Sequence, residues 1–541
     1  MRITPFIPSN RSPGNAFFRG HCTPSTPSPP YVPSLRLYNT LTGRTEPVDP
    51  VEPGKLRFYS CGPTVYSYAH IGNFRSFLTA DLLFRTARAS GLDVTYATNI
   101  TDVGHLTEDD LTDPSGEDRM VKALQSKEGE RFINVWDLAR YYADELLADW
   151  RRLNMLEPTV RPRATEHMRE QILAVQKLIE SGHAYETEKG VYFDVETFGE
   201  YGKLSGNTDS DTLEQGVRDT VQDEDKRHPR DFALWKKDEA HLMQWFSPWG
   251  WGFPGWHIEC SVMAMSYLGD EIDIHAGGED LIFPHHECEI AQSESLTGKP
   301  FARHWVHTRF LQVEGEKMSK SRGNFLTVRD LVLPESEGGR GVDPLALRMT
   351  LIAGHYRKPF NFTFDTLRAS VRHVERIRAA AEIVDAAADG GTDAVAVADS
   401  SHGTDRKADR FRDLTSRIRE EMTDDLNTPA AIAALLEGVK LIHSFDGDMT
   451  SAEARAARDM LDHADDLLGI VRPADEAIQA ASAVAPANDD AEIDRLIEER
   501  RQARADRDFQ RADEIRDELT ERGIEIMDTP DGTDWKRKST L

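Results

Sequence analysis

Cys61, Cys260, His285 and Glu289 come from three separate stretches of a 541-residue chain that has only four cysteines. Their sulfur, nitrogen and oxygen donors suit a Zn²⁺ ion. His285 and Glu289 stand four residues apart, so on a helix both side chains leave the same face. Two neighbours compete with them. Cys288 lies three residues from His285 and reaches the same side of a helix, whereas His286 is turned about 100° away. A lone Cys is commonly a buried small hydrophobe and a lone His a satisfied core residue, so metal chemistry rests on the set and not on any one member. Spacing does not decide between His285 with Glu289 and pairs that include Cys288 or His286.

The text around these residues is more specific. Cys61 opens CGPTVYSYAHIGN (61 to 73), Cys260 closes GWHIEC (255 to 260), and His285 and Glu289 sit in FPHHECEIAQ (283 to 292). With KMSKS from Lys317 to Ser321, these stretches resemble the cysteinyl-tRNA synthetases, a family of class I aminoacyl-tRNA synthetases. The resemblance favours Cys61, Cys260, His285 and Glu289 as the ligands of one Zn²⁺ per chain. It implies ATP-dependent activation of L-cysteine to cysteinyl-adenylate, then transfer to the 3′ terminal adenosine of tRNA(Cys), with Mg²⁺ on the ATP phosphates. A zinc-bound sulfur favours the thiolate, and serine offers a harder, far less acidic donor. The ion then acts as a specificity element that makes a hydrolytic editing domain unnecessary, and not as a source of hydroxide.

His70 and Asn73 close AHIGN, which matches the class I signature written HIGH with Asn73 in place of its last His. Gly72 is small where backbone approaches a ligand, and a helix N-terminus there stabilises an anion. The spacing is not that of a dinucleotide fingerprint. By the resemblance, His70, Lys317 and Lys320 are catalytic and lie with Gly72 and Asn73 at the ATP phosphates, where they stabilise the α-phosphorus as pyrophosphate leaves. Gly277, Gly278 and Asp280 of DIHAGGED (273 to 280) complete the ATP site, and Thr101, Trp256 and His275 form the cysteine pocket.

These residues need a scaffold. LRFYS (56 to 60) alternates like a strand, helix-spaced apolar residues run from Phe74 to about Ala89, Gly91 fits a C-cap, and a second strand follows at Val94 to Ile100. This βαβ unit and the resemblance predict an α/β protein: a class I Rossmann-type catalytic domain with a connective insertion, an α-helical anticodon-side domain, and a small α+β C-terminal module. The expected divisions are a disordered N-terminal extension (1–35), the first catalytic half (36–150), the insertion (151–248), the second catalytic half with KMSKS (249–340), the helical domain (341–472), a linker (473–490) and the anticodon module (491–541). In the insertion, EHMREQILAVQKLIESG (166 to 182) is helical, GVYFDV (190 to 195) reads as a hairpin strand, and most tryptophans of 234 to 256 pack. Further on, Thr428 is placed to cap a helix that begins with Pro429. Low-complexity stretches at about 386 to 408 and 473 to 490 read as a loop and a linker. In the C-terminal module, a cap at Gly523, a strand at Ile524 to Met527 and a turn at Pro530 to Gly532 are expected, and Arg504, Phe509, Asp513 and Asp528 fall on the family's base-reading positions.

Composition sets the outer limits. With 93 acidic against 65 basic residues, the net charge of −28 is unlike that of a typical nucleic-acid binder. A local basic track is still compatible with it, and the acidic faces fit either a salt-adapted surface or a simply solvated one. Hydrophobic content of 39% and a mean hydropathy of −0.53 fit a soluble multidomain protein without a membrane span. Four scattered cysteines fit a reducing cytoplasm, and a monomer is expected. The first 35 residues are rich in Pro and Ser and lack acids; the prolines oppose a transit helix, which leaves a disordered tail or a start assigned too early. Cys22 there is a free thiol. Three rival functions share part of this pattern. A cysteine:amino-sugar ligase of thiol biosynthesis shares the metal set and both signatures but needs no anticodon module. A non-enzymatic RNA-binding paralogue would have lost His70 or the lysines. A structural zinc protein would close its tetrahedron without ATP signatures nearby.

Overall fold

The computed structural model describes residues 35–103, 118–207, 226–319, 322–389, 406–445, 449–473, 495–497, 499–504, 508–521, 524–529 and 532–537. The Pro/Ser-rich start as far as residue 34, Lys320, Gly523, Pro530 and Asp531, and most of the low-complexity stretches lie outside the described residues.

A hairpin of β1 (Arg36–Asn39) and β2 (Arg44–Pro47) precedes the expected βαβ unit: β3 (Lys55–Ser60), α1 (Ile71–Ala89) and β4 (Asp93–Thr98). The helix begins three residues earlier than the apolar pattern suggests, because His70 caps it. Its Nδ1 accepts from the Asn73 backbone N–H at 3.0 Å, and Asn73 Oδ1 accepts from the His70 N–H at 3.1 Å. This reciprocal box satisfies two donors that a helix start otherwise leaves open. The helix ends at Ala89 with Ser90, not the expected Gly91, at the C-cap, and Gly91 follows with a positive φ of 83°, which suits glycine. The next helices are α2 (Arg119–Gln125) and α3 (Val135–Arg152), the latter capped by the Asn134 side chain.

The insertion is larger than one hairpin. After α4 (Met168–Glu180), strands β5 (Ala184–Glu186), β6 (Gly190–Phe193), β7 (Phe232–Lys237), β8 (Trp245–Ser247) and β9 (Gly250–Pro254) form a five-stranded sheet in the order β5-β6-β7-β9-β8. Met168, Val175, Phe193, Leu234 and Trp235 build its own core, while Phe246 and Trp251 stay exposed. The chain then returns through α5 (Trp256–Leu268) and β10 (Ile272–Gly278), through α6 (Glu287–Thr297), and into β11 (Ala302–Thr308). The central sheet has the order β11-β10-β3-β4, with every neighbour parallel. Its strands, apolar on both faces, carry Phe58, Tyr59, Tyr96, Ile274, Trp305 and Val306 into the largest core.

Three short strands follow, β12 (Leu311–Val313), β13 (Glu316–Lys317) and β14 (Phe360–Phe362), with α7 (Val328–Val332) and α8 (Pro344–Ile352) between the last two. The helical part consists of α9 (Phe364–Asp389), α10 (Arg406–Thr423), α11 (Thr428–Ile442) and α12 (Ser451–Leu468). At α11 the expected cap is displaced by one residue: Asn427 holds the N-cap position without a side-chain capping bond, and its amide donates instead to Glu421 at 2.6 Å. The C-terminal module contains α13 (Phe509–Glu521) and an antiparallel pair, β15 (Ile524–Thr529) and β16 (Gly532–Arg537). Among the described residues no helix is long and apolar enough to cross a membrane.

Candidate active site and metal centre

In an open parallel sheet, ligands are held beyond the carboxyl ends of the strands, and the candidate residues collect there. Cys61 is the first residue after β3, and its N–H donates to Ala276 O on β10 at 3.1 Å. The loop that follows is laced to the end of β4: Val65 N to Thr101 O at 3.0 Å, Thr101 N to Pro63 O at 3.2 Å, and Gly62 N to Asn99 Oδ1 at 2.7 Å. A Cβ on Gly62 would stand 1.7 Å from Asn99 O, so only glycine lets the two strand ends close this tightly. Asn99 also donates to Thr101 Oγ1 at 2.9 Å.

Cys260 reaches the same point from the first turns of α5, and His285 and Glu289 reach it from the turn before α6 and its first turn. All four residues are buried, and their ligating atoms lie within 4.8 Å of one another. Cys61 Sγ is 3.9 Å from Cys260 Sγ and 3.4 Å from Glu289 Oε1, and His285 Nε2 is 2.9 Å from the same Oε1. A tetrahedral zinc site with Zn–S near 2.3 Å has sulfur–sulfur edges of about 3.8 Å, so the donor types and the sulfur separation fit that ion.

Burial raises the Cys61 thiol well above its ordinary value. Its hydrogen bond to Cys260 helps to bring that thiol down to about 6 against the effect of burial. Burial would also raise Glu289, but His275 and His285 outweigh it and hold the carboxyl near 2. His285 is drawn up to about 10 despite burial, chiefly by Cys260 and Glu289. Cys260 and Glu289 therefore carry the negative charge of the cluster, balanced on the His285 imidazolium, whose proton a bound cation would replace.

Cys288 does not belong to it. It is buried in the insertion core, with its sulfur 3.4 Å from Tyr201 Oη. His286 comes closer than the helical period suggests, because residues 282–286 form a wider turn and not a regular α-helix. Cys61, His275, His286 and Glu289 form a second close set, with His286 Nε2 3.5 Å from Cys61 Sγ and His275 Nε2 2.8 Å from Glu289 Oε2. The histidines are linked further: His257 Nδ1 to His285 Nδ1 at 2.8 Å, His286 Nδ1 to His307 Nε2 at 2.8 Å, and His307 Nδ1 to Thr40 Oγ1 at 2.7 Å. Burial keeps His286 and His307 well below their ordinary pKa, so both rings are neutral. Sequence reasoning missed His257, His307, Asn99 and Gly62; His257 and Gly62 lie inside the quoted motifs and Asn99 near the end of the second expected strand, while His307 had no local signal. Trp256 lies half-buried with its ring 4.5 Å from that of His285, and Thr101 is buried at the strand end.

The signature residues form the adjoining wall. His70 meets Phe325 edge-on at 5.2 Å, and Ile71 N donates to Leu326 O at 2.9 Å, which brings the segment after KMSKS against the start of α1. A Cβ on Gly72 would lie 2.9 Å from Met318 Cε and 3.0 Å from the His70 ring. Lys317 is exposed on β13, and Asn324 closes its loop by accepting from Ser319 N at 2.9 Å and donating to Lys317 O at 3.2 Å. Gly277 and Gly278 answer to packing within the site: a Cβ would stand 2.8 Å from His286 Cε1 at the first and 2.3 Å from Asp280 Oδ1 at the second. Asp280 itself is exposed. In the C-terminal module Arg504 and Asp513 are exposed, and Asp513 pairs with Arg516 at 3.1 Å. Phe509 begins α13, and Asp528 on β15 faces Thr533 across the pair; the side chains of both lie outside the described residues.

A model of the class I (C) tRNA synthetase catalytic domain matches residues 47–372, a DALR domain model matches 417–472, and a model of the cysteinyl-tRNA ligase anticodon binding domain matches 490–535. A cysteine-tRNA ligase of Salinibacter ruber is 59% identical over 94% of this chain and 99% of its own length. One of Chlorobaculum tepidum is 43% identical over 93% and 99%. Among solved structures, a methionyl-tRNA synthetase of Mycobacterium tuberculosis bound by methionyl-adenylate shares the fold at a TM-score of 0.53 and 14% identity, over 79% of this chain and 93% of that one. A LeuRS of Agrobacterium radiobacter in a ternary complex does so at 0.55 and 11%, over 81% and 86%.

Proposed function

Because the chain belongs to the cysteine-tRNA ligase family of class I synthetases, we propose that Cys61, Cys260, His285 and Glu289 hold one Zn²⁺ on the floor of its cysteine pocket. The enzyme is a ligase acting on cysteine and tRNA, with ATP as the third partner. The amino-sugar ligase reading is not favoured, since residues 490–535 match the cysteinyl-tRNA ligase anticodon binding domain. The convergence of two buried sulfurs 3.9 Å apart with an imidazole and a carboxylate carries the zinc assignment. When bound, zinc supplies a soft acid that favours the thiolate of cysteine over the hydroxyl of serine.

The chain's own residues do the rest. His257 fixes the ring of His285 and His275 holds the second oxygen of Glu289, so the donors are oriented before the substrate arrives. Trp256 and Thr101 wall the cysteine pocket. His70 and the N-terminus of α1, with Gly72 and Asn73 beside it, receive the ATP phosphates together with their Mg²⁺. Gly277, Gly278 and Asp280 border the adenosine. Lys317 and Lys320 bring positive charge to the α-phosphorus as pyrophosphate departs. Arg504, Phe509, Asp513 and Asp528 read the anticodon, joined to the catalytic part through residues 473–490. Cys61 and Cys260 must remain reduced to bind as thiolates, which fits a cytoplasmic enzyme; we assign a monomer, to be checked by sedimentation.

The test is metal content together with cysteine-dependent pyrophosphate exchange in Cys260→Ser. Loss of zinc and of the preference for cysteine over serine is expected. A folded variant that kept one zinc per chain and full exchange would overturn the assignment.

A further inference from the structure

One cluster at the mouth of the site has no part in the chemistry above. Tyr68 lies two residues before His70. Its ring meets Tyr142 edge-on at 5.1 Å and Tyr141 at 6.3 Å, and its hydroxyl is 2.7 Å from that of Tyr141. Phe132 joins them, 5.3 Å from Tyr141. The exposed Arg131 lays its guanidinium over Tyr141 at 4.1 Å and Phe132 at 4.6 Å. From the other side Arg329, just beyond KMSKS, stands 5.0 Å over Tyr68 and pairs with Glu145 on α3. Arg119 covers Tyr66 in the same loop at 5.8 Å.

Tyr142 is buried and holds α3 in place, whereas Tyr66, Tyr68, Phe132 and Tyr141 are half-buried and keep part of their surface open. Among the described residues no carboxylate pairs with Arg131, which lies against the rings of Phe132 and Tyr141 and is hydrogen-bonded to the Tyr68 and Tyr141 side chains instead. Rings interleaved with guanidinium groups are what single-stranded nucleic acid requires: stacking planes for bases, and cations for the phosphates between them. The cluster is continuous through Tyr68 with the loop that carries His70.

We propose that this surface is the platform on which the unpaired 3′ nucleotides of the tRNA lie as they enter the active site, with bases stacking on Phe132 and Tyr141 and Arg131 serving as plane and counter-charge. The proposal rests on the synthetase reading and adds the path of the acceptor end to it.

The test uses the full chain with Arg131→Ala and, separately, Phe132→Leu. Cysteine-dependent pyrophosphate exchange without tRNA should stay within about twofold of wild type. Aminoacylation kcat/KM for tRNA should fall about tenfold or more, as the loss of one stacked base requires. A tRNA trimmed of its unpaired 3′ nucleotides should bind wild type more weakly than intact tRNA does, and should bind wild type and variants alike. Equal losses for intact and trimmed tRNA would put the contact elsewhere and overturn the platform. So would unchanged aminoacylation, and so would a matching loss of exchange, which marks a structural role. Absence of exchange in wild type would instead sink the synthetase reading itself.

Discussion

Arg348→Met tests the ion-pair knot that ties the catalytic helix to the helical domain. Arg348 of α8 is fully buried and spends every arm of its guanidinium: Nε on Leu468 O at 2.7 Å, Nη1 on Leu153 O at 2.9 Å and Asn154 O at 3.2 Å, and Nη2 on Asp81 Oδ2 at 2.6 Å. Asp81 of α1 also receives Arg85 Nε at 2.9 Å and Leu156 N at 2.8 Å. Gly469, at φ 64°, leaves the room: a Cβ there would lie 2.9 Å from the guanidinium. Methionine nearly fills the volume but strips Asp81 of one of its two cations and leaves the carbonyls of Leu153 and Leu468 without this donor. Breaking a buried pair costs about 3–5 kcal/mol, and Arg85, which stays on Asp81, keeps the loss near the lower end of that range. At roughly 2–4 °C per kcal/mol for a large domain, the melting temperature should fall by about 6–12 °C.

The pH dependence has a definite sign. Burial pushes the Asp81 carboxyl up, but Arg85 and Arg348 together hold it below its ordinary value. Its stabilisation is therefore present above the ordinary carboxylate range and is lost as pH falls through the depressed native pKa. Without Arg348, burial gains weight and protonation begins at higher pH, so the gap between wild type and variant should be full at pH 7 and should narrow in acid. Scanning calorimetry from about pH 2 to pH 8, a range that extends below the depressed native pKa, reads both. A shift below about 2 °C at pH 7, or a gap that widens in acid, would refute the reasoning.

The other expectations are simpler. Cys288→Ser should keep its zinc by atomic absorption and its exchange activity, because its sulfur faces Tyr201; loss of metal there would reassign the site. Lys317→Ala should slow adenylate formation in rapid-mixing kinetics by more than it weakens cysteine binding, since a charge used in the transition state acts on rate; equal losses would contradict the role. Gly62→Ala should lower zinc content, because its Cβ would force apart the strand ends that place Cys61; an unchanged metal content would show that the loop yields freely. Ending the chain near Pro473 should leave pyrophosphate exchange almost intact while discrimination between wild-type and anticodon-mutant tRNA falls, base contacts being worth about 1–3 kcal/mol each. Retained discrimination would remove residues 491–541 from anticodon reading.

The family was legible in the chain because its chemistry is written in short contiguous stretches. HIGN, KMSKS and the motifs around Cys61, Cys260 and His285 each hold their residues within a turn or a strand end, where local geometry suffices. The first βαβ unit was legible for the same reason, as apolar period switches from two to 3.6 and back. Asn73 was readable only as a departure from a pattern; its reciprocal cap with His70 shows the work it does in starting α1. What separates Cys288 from Glu289 could not be read locally, because both sit on one helix and the choice depends on which core covers each face. The insertion sheet claims the Cys288 face, and the strand ends claim the other. The same holds for His286, His307 and Thr40, where the link from Thr40 to His307 spans 267 residues. Such contacts follow from how parallel strands are ordered side by side, and that order is set by packing across the whole sheet and not by any stretch of sequence within it.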